Sequence, residues 1–214
     1  MYAAAADPPP TAPRVADRLA WLVSAAASPF LVLALFLGLL ARHLAPTPAI
    51  AARWAALAIG GIVAVPAVYV VWAVLRGHIT DVHVQLREQR AAPFVAAIAG
   101  CGLSAALLLA AEAHPELVLA SLAALVNGLL FLGVTLRWKI AMHPAILTAC
   151  ALMAGQLIAP QWYWALLAVP LVVWARIQRR RHTLAQCLTG TVLAGAATWA
   201  MTDLYLGMIG SNRP

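Results

Sequence analysis

Three polar residues near the end of the chain have the types and the spacing that phosphate chemistry requires. Arg176 is followed after five residues by His182, and His182 is followed after three residues by Gln186. A guanidinium can hold a phosphate through two parallel hydrogen bonds, and an imidazole can attack phosphorus or carry a proton. A helix beginning near Thr183 would add the positive end of its dipole. The segment therefore predicts a phosphate-handling site.

The composition indicates that this site faces a membrane. Apolar residues make up 64% of the 214 positions and only 10% are charged, with a mean hydropathy of +0.88. A soluble domain cannot bury so much apolar surface. Apolar stretches, compared with the roughly 20 residues that one crossing needs, cover residues 19–41, 52–75, 93–111, 116–136, 143–158, 162–174 and 183–209. We expect an all-α, polytopic integral membrane bundle with six core transmembrane helices, or seven if the two short stretches form a hairpin of thin crossings.

The remaining features predict a simple domain organisation. Residues 1–18, rich in alanine and proline at their start, are expected to be a disordered tail, and residues 19–209 a single transmembrane domain. The tail lacks the basic start and the apolar core of a cleaved signal peptide. Cys101, Cys150 and Cys187 lie in or beside apolar stretches and are expected to be buried hydrophobic residues. No carboxylate cluster indicates a metal site, so we expect neither a metal nor a cofactor.

The net charge of +7 is concentrated in loops. If the crossings alternate, one side collects Arg14, Arg18, Arg76, Arg87, Arg90, Arg137, Lys139, Arg176 and Arg179 to Arg181. The positive-inside rule places that side in the cytoplasm. Three loops on it, 77–93, 137–144 and 174–183, could converge. The expected partners are the bilayer and a membrane lipid rather than nucleic acid, and the oligomeric state stays open.

Taken together, these loops resemble the pattern of the type 2 phosphatidic acid phosphatase superfamily of membrane lipid phosphatases. That family carries Lys, six residues, Arg-Pro; then Pro-Ser-Gly-His; then Ser-Arg, five residues, His, three residues, Asp. The third signature is matched by Arg176, His182 and Gln186. The second retains only His143, with Lys139 close by.

The first signature of the family would lie in the loop 77–93. It would be His83, six residues, Arg90, with Pro93 two residues late. In this loop His83, Arg87 and Arg90 recur at intervals of three or four, so a helical loop would place them on one stripe. Such a stripe could hold a second phosphate, which favours a prenyl diphosphate as the ligand. Anchoring at the membrane surface explains an excess of arginine equally well.

The resemblance implies a role for each matching residue. His182 would be the nucleophile that forms a phosphohistidine, and His143 the acid that protonates the leaving oxygen. Arg90 and Arg176 would hold the phosphate, with His83 or Lys139 in place of the lysine of the family. These parts supply the charge neutralisation, positioning and proton delivery that phosphoryl transfer needs.

The chain departs from the family at three positions. Gln186 replaces an aspartate and can orient the ring of His182 without lending a negative charge, a loss that costs serine hydrolases several orders of magnitude in rate. Ala141 and Met142 replace residues that would donate to phosphate oxygens, and each missing donor costs ~2–4 kcal/mol.

Three functions stay open at this stage. The leading hypothesis is a membrane hydrolase that removes phosphate from a lipid phosphate or an isoprenoid diphosphate. A second is an enzyme that ionises a prenyl diphosphate and then cyclises or transfers its chain, although the usual aspartate-rich, magnesium-binding motifs are absent from the sequence. A third is a non-catalytic protein that binds or transports lipid phosphates.

Overall fold

Every regular element in the described part of the chain is helical, which confirms the all-α prediction. The structure, a computed structural model, describes residues 15–80 and 86–211, without the side chains of Arg87 and Ser211. The helices are α1 (Val15–Ala26), α2 (Pro29–Leu44), α3 (Pro48–Ile59), α4 (Val65–Leu75), α5 (Ala91–Ala110), α6 (Pro115–Thr135), α7 (Met142–Leu157), α8 (Ala168–Gln178) and α9 (Leu184–Ser211). A π-helical turn (Gly60–Ala64) joins α3 to α4, and 3-10 helices cover Arg87–Gln89 and Pro160–Leu167.

The long apolar helices agree with an integral membrane protein. Among the described residues, four helical segments are long and apolar enough to cross a bilayer: Pro48–Leu75, Ala91–Ala110, Pro115–Thr135 and Leu184–Gly210. Helices α1 and α2 add a fifth if this pair, bent by 42°, forms one span. Helix α7 is apolar but has only 16 residues. The prediction of six core transmembrane helices is therefore not confirmed by length and composition.

Prolines determine where several of these helices begin and where they are distorted. Pro29, Pro48 and Pro115 each occupy the first position of a helix, where the missing amide hydrogen costs nothing. Pro66 lies inside the span Pro48–Leu75, where its ring cannot fit a regular α-helical turn. The π-helical turn Gly60–Ala64 precedes it and widens the backbone at that point.

The first described helix begins earlier than the sequence indicated. The tail predicted to reach residue 18 is wrong for residues 15–18, because α1 begins at Val15. Asp17 lies in the first turn of α1 and accepts a hydrogen bond of 2.9 Å from Gln178 Nε2. Ala20 and Ser24 are buried on the same helix. Packing against α8 therefore orders a polar segment that has little helical signal of its own.

The bundle has two polar ends. At one end the start of α1 meets the end of α8 through the bond between Asp17 and Gln178. At the opposite end Glu116 interacts electrostatically with His43, His114 and Tyr205, which come from the last turn of α2, the start of α6 and the last part of α9. These contacts place the start of α1 with the end of α8 at one end of the bundle, and the end of α2 with the start of α6 and the end of α9 at the other.

Candidate phosphate site

The turn after α8 is what brings His182 back over Arg176. Arg180 donates its amide to Ile177 O (2.8 Å) and Arg181 donates its amide to Arg176 O (3.1 Å). This pair of bonds is the Schellman motif that ends many helices. Arg180 adopts the left-handed conformation that the motif requires, with φ at 52°. The five residues between Arg176 and His182 therefore form the end of α8 and its Schellman turn, and His182 is the first residue after that turn.

The first turn of α9 fixes the ring of His182. Thr183 Oγ1 accepts the amide of Gln186 (3.3 Å), and Gln186 Oε1 accepts the amide of Thr183 (3.2 Å). This reciprocal pair is a capping box. The same Oε1 atom lies 3.1 Å from Nδ1 of His182.

The capping box also determines which ring nitrogen of His182 carries the proton. The amide of Thr183 can only donate, so its partner on Gln186 must be the carbonyl oxygen rather than the NH₂ group. A carbonyl oxygen only accepts, so Nδ1 of His182 must be the donor. In the neutral ring this leaves Nε2 with a free lone pair, which is the tautomer that a nucleophile needs.

Two loops bring further cations to the same place. Arg90 is the residue before α5, and its Nη1 donates to Ile140 O (3.2 Å) in the loop between α6 and α7. In that loop Ala141 donates its amide to Gln186 O (3.3 Å). Gly190 permits this approach, since a Cβ atom there would lie 2.5 Å from Ala141 O. The predicted convergence of the three loops is therefore present among the described residues.

Arg176 is the buried member of the cluster. Its side chain is 7% exposed, and its Nε has no hydrogen-bond partner among the described residues. The charges of Arg179, Arg181 and Arg90 act on it. A buried guanidinium surrounded by cations is costly unless an anion completes its hydrogen bonds.

The electrostatics of the cluster keep His182 neutral. Burial, followed by the charges of Arg176, Lys139 and Arg90, lowers the pKa of His182 from 6.5 to about 3. Burial and the charges of Arg90, Arg176 and Arg181 also lower the pKa of Lys139. An anion bound among these groups would counteract the lowering of both pKa values by the neighbouring positive charges. We call Arg90, Lys139, Arg176 and His182 the cationic cluster.

Three further residues predicted for the site, His143, Arg87 and His83, are described to different extents by the structure. His143 is half-buried in the first turn of α7, two residues after Ala141. Arg87 begins the 3-10 helix Arg87–Gln89, and its side chain is outside the description. His83, the first residue of the predicted stripe, lies outside the described residues.

Sequence reasoning missed two groups that build this site. Thr183 closes the capping box. A threonine three residues before a glutamine is the sequence pattern of such a box, so this group could have been predicted. The carbonyl of Ile140 positions Arg90, and no sequence signal marks a backbone carbonyl of this kind.

Comparisons with known proteins add no relative. No protein-family model, curated protein or solved structure matches this chain. The resemblance to the type 2 phosphatidic acid phosphatases therefore rests on the quoted residues and their spacing.

Proposed function

We propose that this protein is an integral membrane phosphohydrolase that acts on a lipid phosphate or a prenyl diphosphate. The observation that carries the proposal is the geometry of His182. Its Nδ1 is held by Gln186, its Nε2 is left with a lone pair, and three cations surround it. A neutral, oriented imidazole among cations suits attack on an anionic phosphorus centre.

The reaction proceeds in two steps that balance. In the first, Nε2 of His182 forms a bond to phosphorus while the bond from phosphorus to the leaving oxygen breaks. His143 donates a proton to that oxygen, which leaves as a lipid alcohol or, from a diphosphate, as a lipid monophosphate. In the second, water attacks the phosphohistidine and His143 takes a proton from it. The products are inorganic phosphate and free His182.

The cations supply binding and charge neutralisation. Arg176 offers a buried Nε without an acceptor among the described residues, which a phosphate oxygen would provide. Arg90 is anchored at one Nη by Ile140 O, so its guanidinium is already oriented. Lys139 adds a positive charge from the loop before α7. Ordering these groups before the ligand arrives reduces the entropy lost on binding.

One observation favours a second candidate, a protein that binds lipid phosphates without hydrolysing them. Gln186 holds His182 through a neutral amide, so no negative charge stabilises the phosphorylated ring. The cations that bind phosphate would be unaffected by that deficit. Substitution of His182 separates the candidates, because it should abolish hydrolysis and leave binding through Arg176 largely intact.

The positions of the loops also constrain the number of crossings. Lys139 precedes α7 and Arg176 ends α8, and both belong to the cationic cluster, so the chain between them must cross twice or not at all. The hydrogen bond that Gln178 donates to Asp17 puts the start of α1 at the same end. The total is then five or seven, and we propose seven rather than the six core helices expected. Helix α7 is roughly 24 Å long and the segment 160–178 roughly 32 Å, close to the ~30 Å of a hydrocarbon core.

If the seven crossings alternate in direction, the cationic cluster lies on the side that carries most of the arginines. Under the positive-inside rule this side is cytoplasmic, and the substrate would enter from the inner leaflet.

A product assay tests the proposed function. Purified protein is incubated with farnesyl diphosphate, geranylgeranyl diphosphate or phosphatidic acid, and the lipid and inorganic products are identified by mass. The control is His43→Asn at the opposite end of the bundle, compared with His182→Asn. Orthophosphate released by the wild type and His43→Asn but lost in His182→Asn supports the proposal. Pyrophosphate with a cyclised or transferred hydrocarbon would replace it with the ionisation chemistry, and binding without turnover would favour the second candidate.

A further inference from the structure

A wide groove lies at the polar end of the bundle where the start of α1 meets the end of α8. Its volume is about 690 Å³, within the range of sites that bind small ligands. None of the four residues of the cationic cluster is among its described lining residues, so the two sites are separate. We call this space the arginine groove, after the lining residues Arg18 and Arg179 to Arg181.

The charge of the arginine groove is positive. Four arginines line it, and Asp17 is the one carboxylate among its described lining residues. Asp17 accepts a hydrogen bond of 2.9 Å from Gln178 Nε2. Burial, followed by the charge of Arg181, lowers the pKa of Arg179. The arginines therefore repel one another, and an anion in the groove would stabilise them.

One wall of the arginine groove is apolar. Trp21 and Leu22 follow Arg18 by three and four residues, so the three side chains share one face of α1. Trp21 is 54% exposed and Leu22 is 55% exposed. Because α1 starts at the polar end, both lie one helical turn further from that end than Arg18. The apolar wall therefore extends from the charged part of the groove towards the hydrocarbon of the bilayer.

The two parts of the groove match the two parts of a phospholipid. Guanidinium groups bind phosphate oxygens through charge-assisted hydrogen bonds, and arginines at the membrane surface attract anionic lipids. Tryptophan is the residue most typical of the level where headgroups meet acyl chains. A soluble anion would use the arginines but leave Trp21 and Leu22 uncovered. The combination of charge and exposed apolar surface favours a lipid.

We propose that the arginine groove binds the headgroup of an anionic phospholipid from the surrounding bilayer. The phosphate lies among Arg18 and Arg179 to Arg181, and the acyl chains pass over Trp21 and Leu22. None of the described lining residues is a histidine, so this lipid is a bound partner rather than a substrate. The site goes beyond the proposed hydrolysis and does not depend on it.

Quenching of the fluorescence of Trp21 tests this assignment. The full-length protein is placed in phosphatidylcholine nanodiscs that contain a small fraction of brominated lipid, either phosphatidylglycerol or phosphatidylcholine. Bromine quenches tryptophan on contact, and the difference between each protein and its Trp21→Phe form isolates the signal of Trp21. Phosphatidylglycerol is a phosphodiester without a terminal phosphate, so a phosphohydrolase does not consume it. We expect it to quench Trp21 at a lower mole fraction than phosphatidylcholine does.

Two double variants show whether the arginines hold the lipid. Arg18→Gln with Arg180→Asn removes two charges from the groove, and asparagine tolerates the left-handed backbone at residue 180. The preference for phosphatidylglycerol should fall roughly five-fold or more, the effect of one arginine near an anionic lipid. Arg42→Gln with Arg53→Gln is the matched control. It removes two exposed charges from α2 and α3, outside the groove, and should leave the preference unchanged.

The same assay contains the results that would overturn the proposal. Equal quenching by the two lipids in the wild type would do so, as would a preference that survives Arg18→Gln with Arg180→Asn. Loss of the preference in Arg176→Met would place the lipid in the cationic cluster instead. Relief of quenching by inorganic phosphate at matched ionic strength would assign the groove to a soluble anion. If the preference is found while the product assay detects no hydrolysis, the hydrolase function fails and the lipid site stands.

Discussion

Gln186 Oε1 lies 3.1 Å from Nδ1 of His182 and at the same time accepts the amide of Thr183 at 3.2 Å. One oxygen atom therefore caps the long apolar helix α9 and sets the tautomer of the candidate nucleophile. Because both bonds converge on a carbonyl, the ring is oriented as in a catalytic dyad but receives no charge from its partner.

Replacing Gln186 by glutamate should raise the rate of hydrolysis. Glutamate also fits the capping box and favours a helix N-terminus, so the fold should tolerate it. Its negative charge would stabilise the imidazolium character that develops as phosphorus is attacked. We expect kcat to rise about ten-fold or more, equivalent to about 1.4 kcal/mol. Gln186→Met should lower kcat, and equal rates for the glutamate and methionine variants would contradict the assigned orientation of His182.

Replacing Arg176 by methionine should have opposite effects on stability and on binding. The buried guanidinium has an Nε without a partner among the described residues and is surrounded by like charges, so its removal should raise the melting temperature of the ligand-free protein. The affinity for decyl phosphonate, which cannot be hydrolysed, should fall roughly 30-fold or more, about 2 kcal/mol, because a buried charge-assisted bond is lost. Arg53→Met, exposed on α3, is the control and should change neither property. A loss of stability in Arg176→Met would mean that the residue is structural.

The stability of the ligand-free protein should depend on pH through His182. The pKa of this group is about 3 in the folded protein, compared with its ordinary 6.5. Between these values the unfolded chain binds a proton that the native state does not, so stability rises with pH over this range and is constant above it. The free energy of unfolding of the wild type, relative to that of His182→Asn, should therefore increase from pH 3 to pH 6.5. If the free energies of unfolding of the wild type and of His182→Asn changed with pH in parallel, His182 would not be held neutral in the folded protein.

Arg180→Gly should stabilise the protein. Arg180 has a φ of 52° at the position of the helix-ending motif that glycine occupies most readily. Relief of the left-handed strain should contribute about 1 kcal/mol. Arg179→Gly provides the matched control, because Arg179 has a φ of -76° and gains nothing from glycine. Thermal melting of both variants checks the expectation, and a lower melting temperature for Arg180→Gly than for Arg179→Gly would contradict it.

The parts of the site that were predictable from the sequence are local in the chain. Arg176, His182 and Gln186 are joined by one turn and one capping box, so their spacing alone brings them together. The convergence of Arg90 and Lys139 followed from counting crossings, because alternation places their loops at one end.

The parts that were not predictable depend on packing between distant helices. In the sequence Asn127 is a single amide residue within an apolar stretch. Only the packing of α6 against α9, where Asn127 Nδ2 donates to Thr198 Oγ1, shows that Oδ1 of Asn127 has no hydrogen-bond partner among the described residues. The start of α1 at Val15 depends on the bond from Gln178, which lies far along the chain. Tertiary contacts of this kind override local propensity.

The proposed hydrolysis depends on a covalent bond between His182 and phosphorus. The direct measurement is rapid quenching of the purified protein with ³²P-labelled lipid phosphate, followed by peptide mass spectrometry under alkaline conditions that preserve phosphohistidine. We predict an acid-labile phosphate on His182 in the wild type, which accumulates further in Gln186→Met if water attack is slowed and is absent from His182→Asn. Turnover with no labelled protein, or a label on any other residue, would contradict a phosphohistidine intermediate at His182.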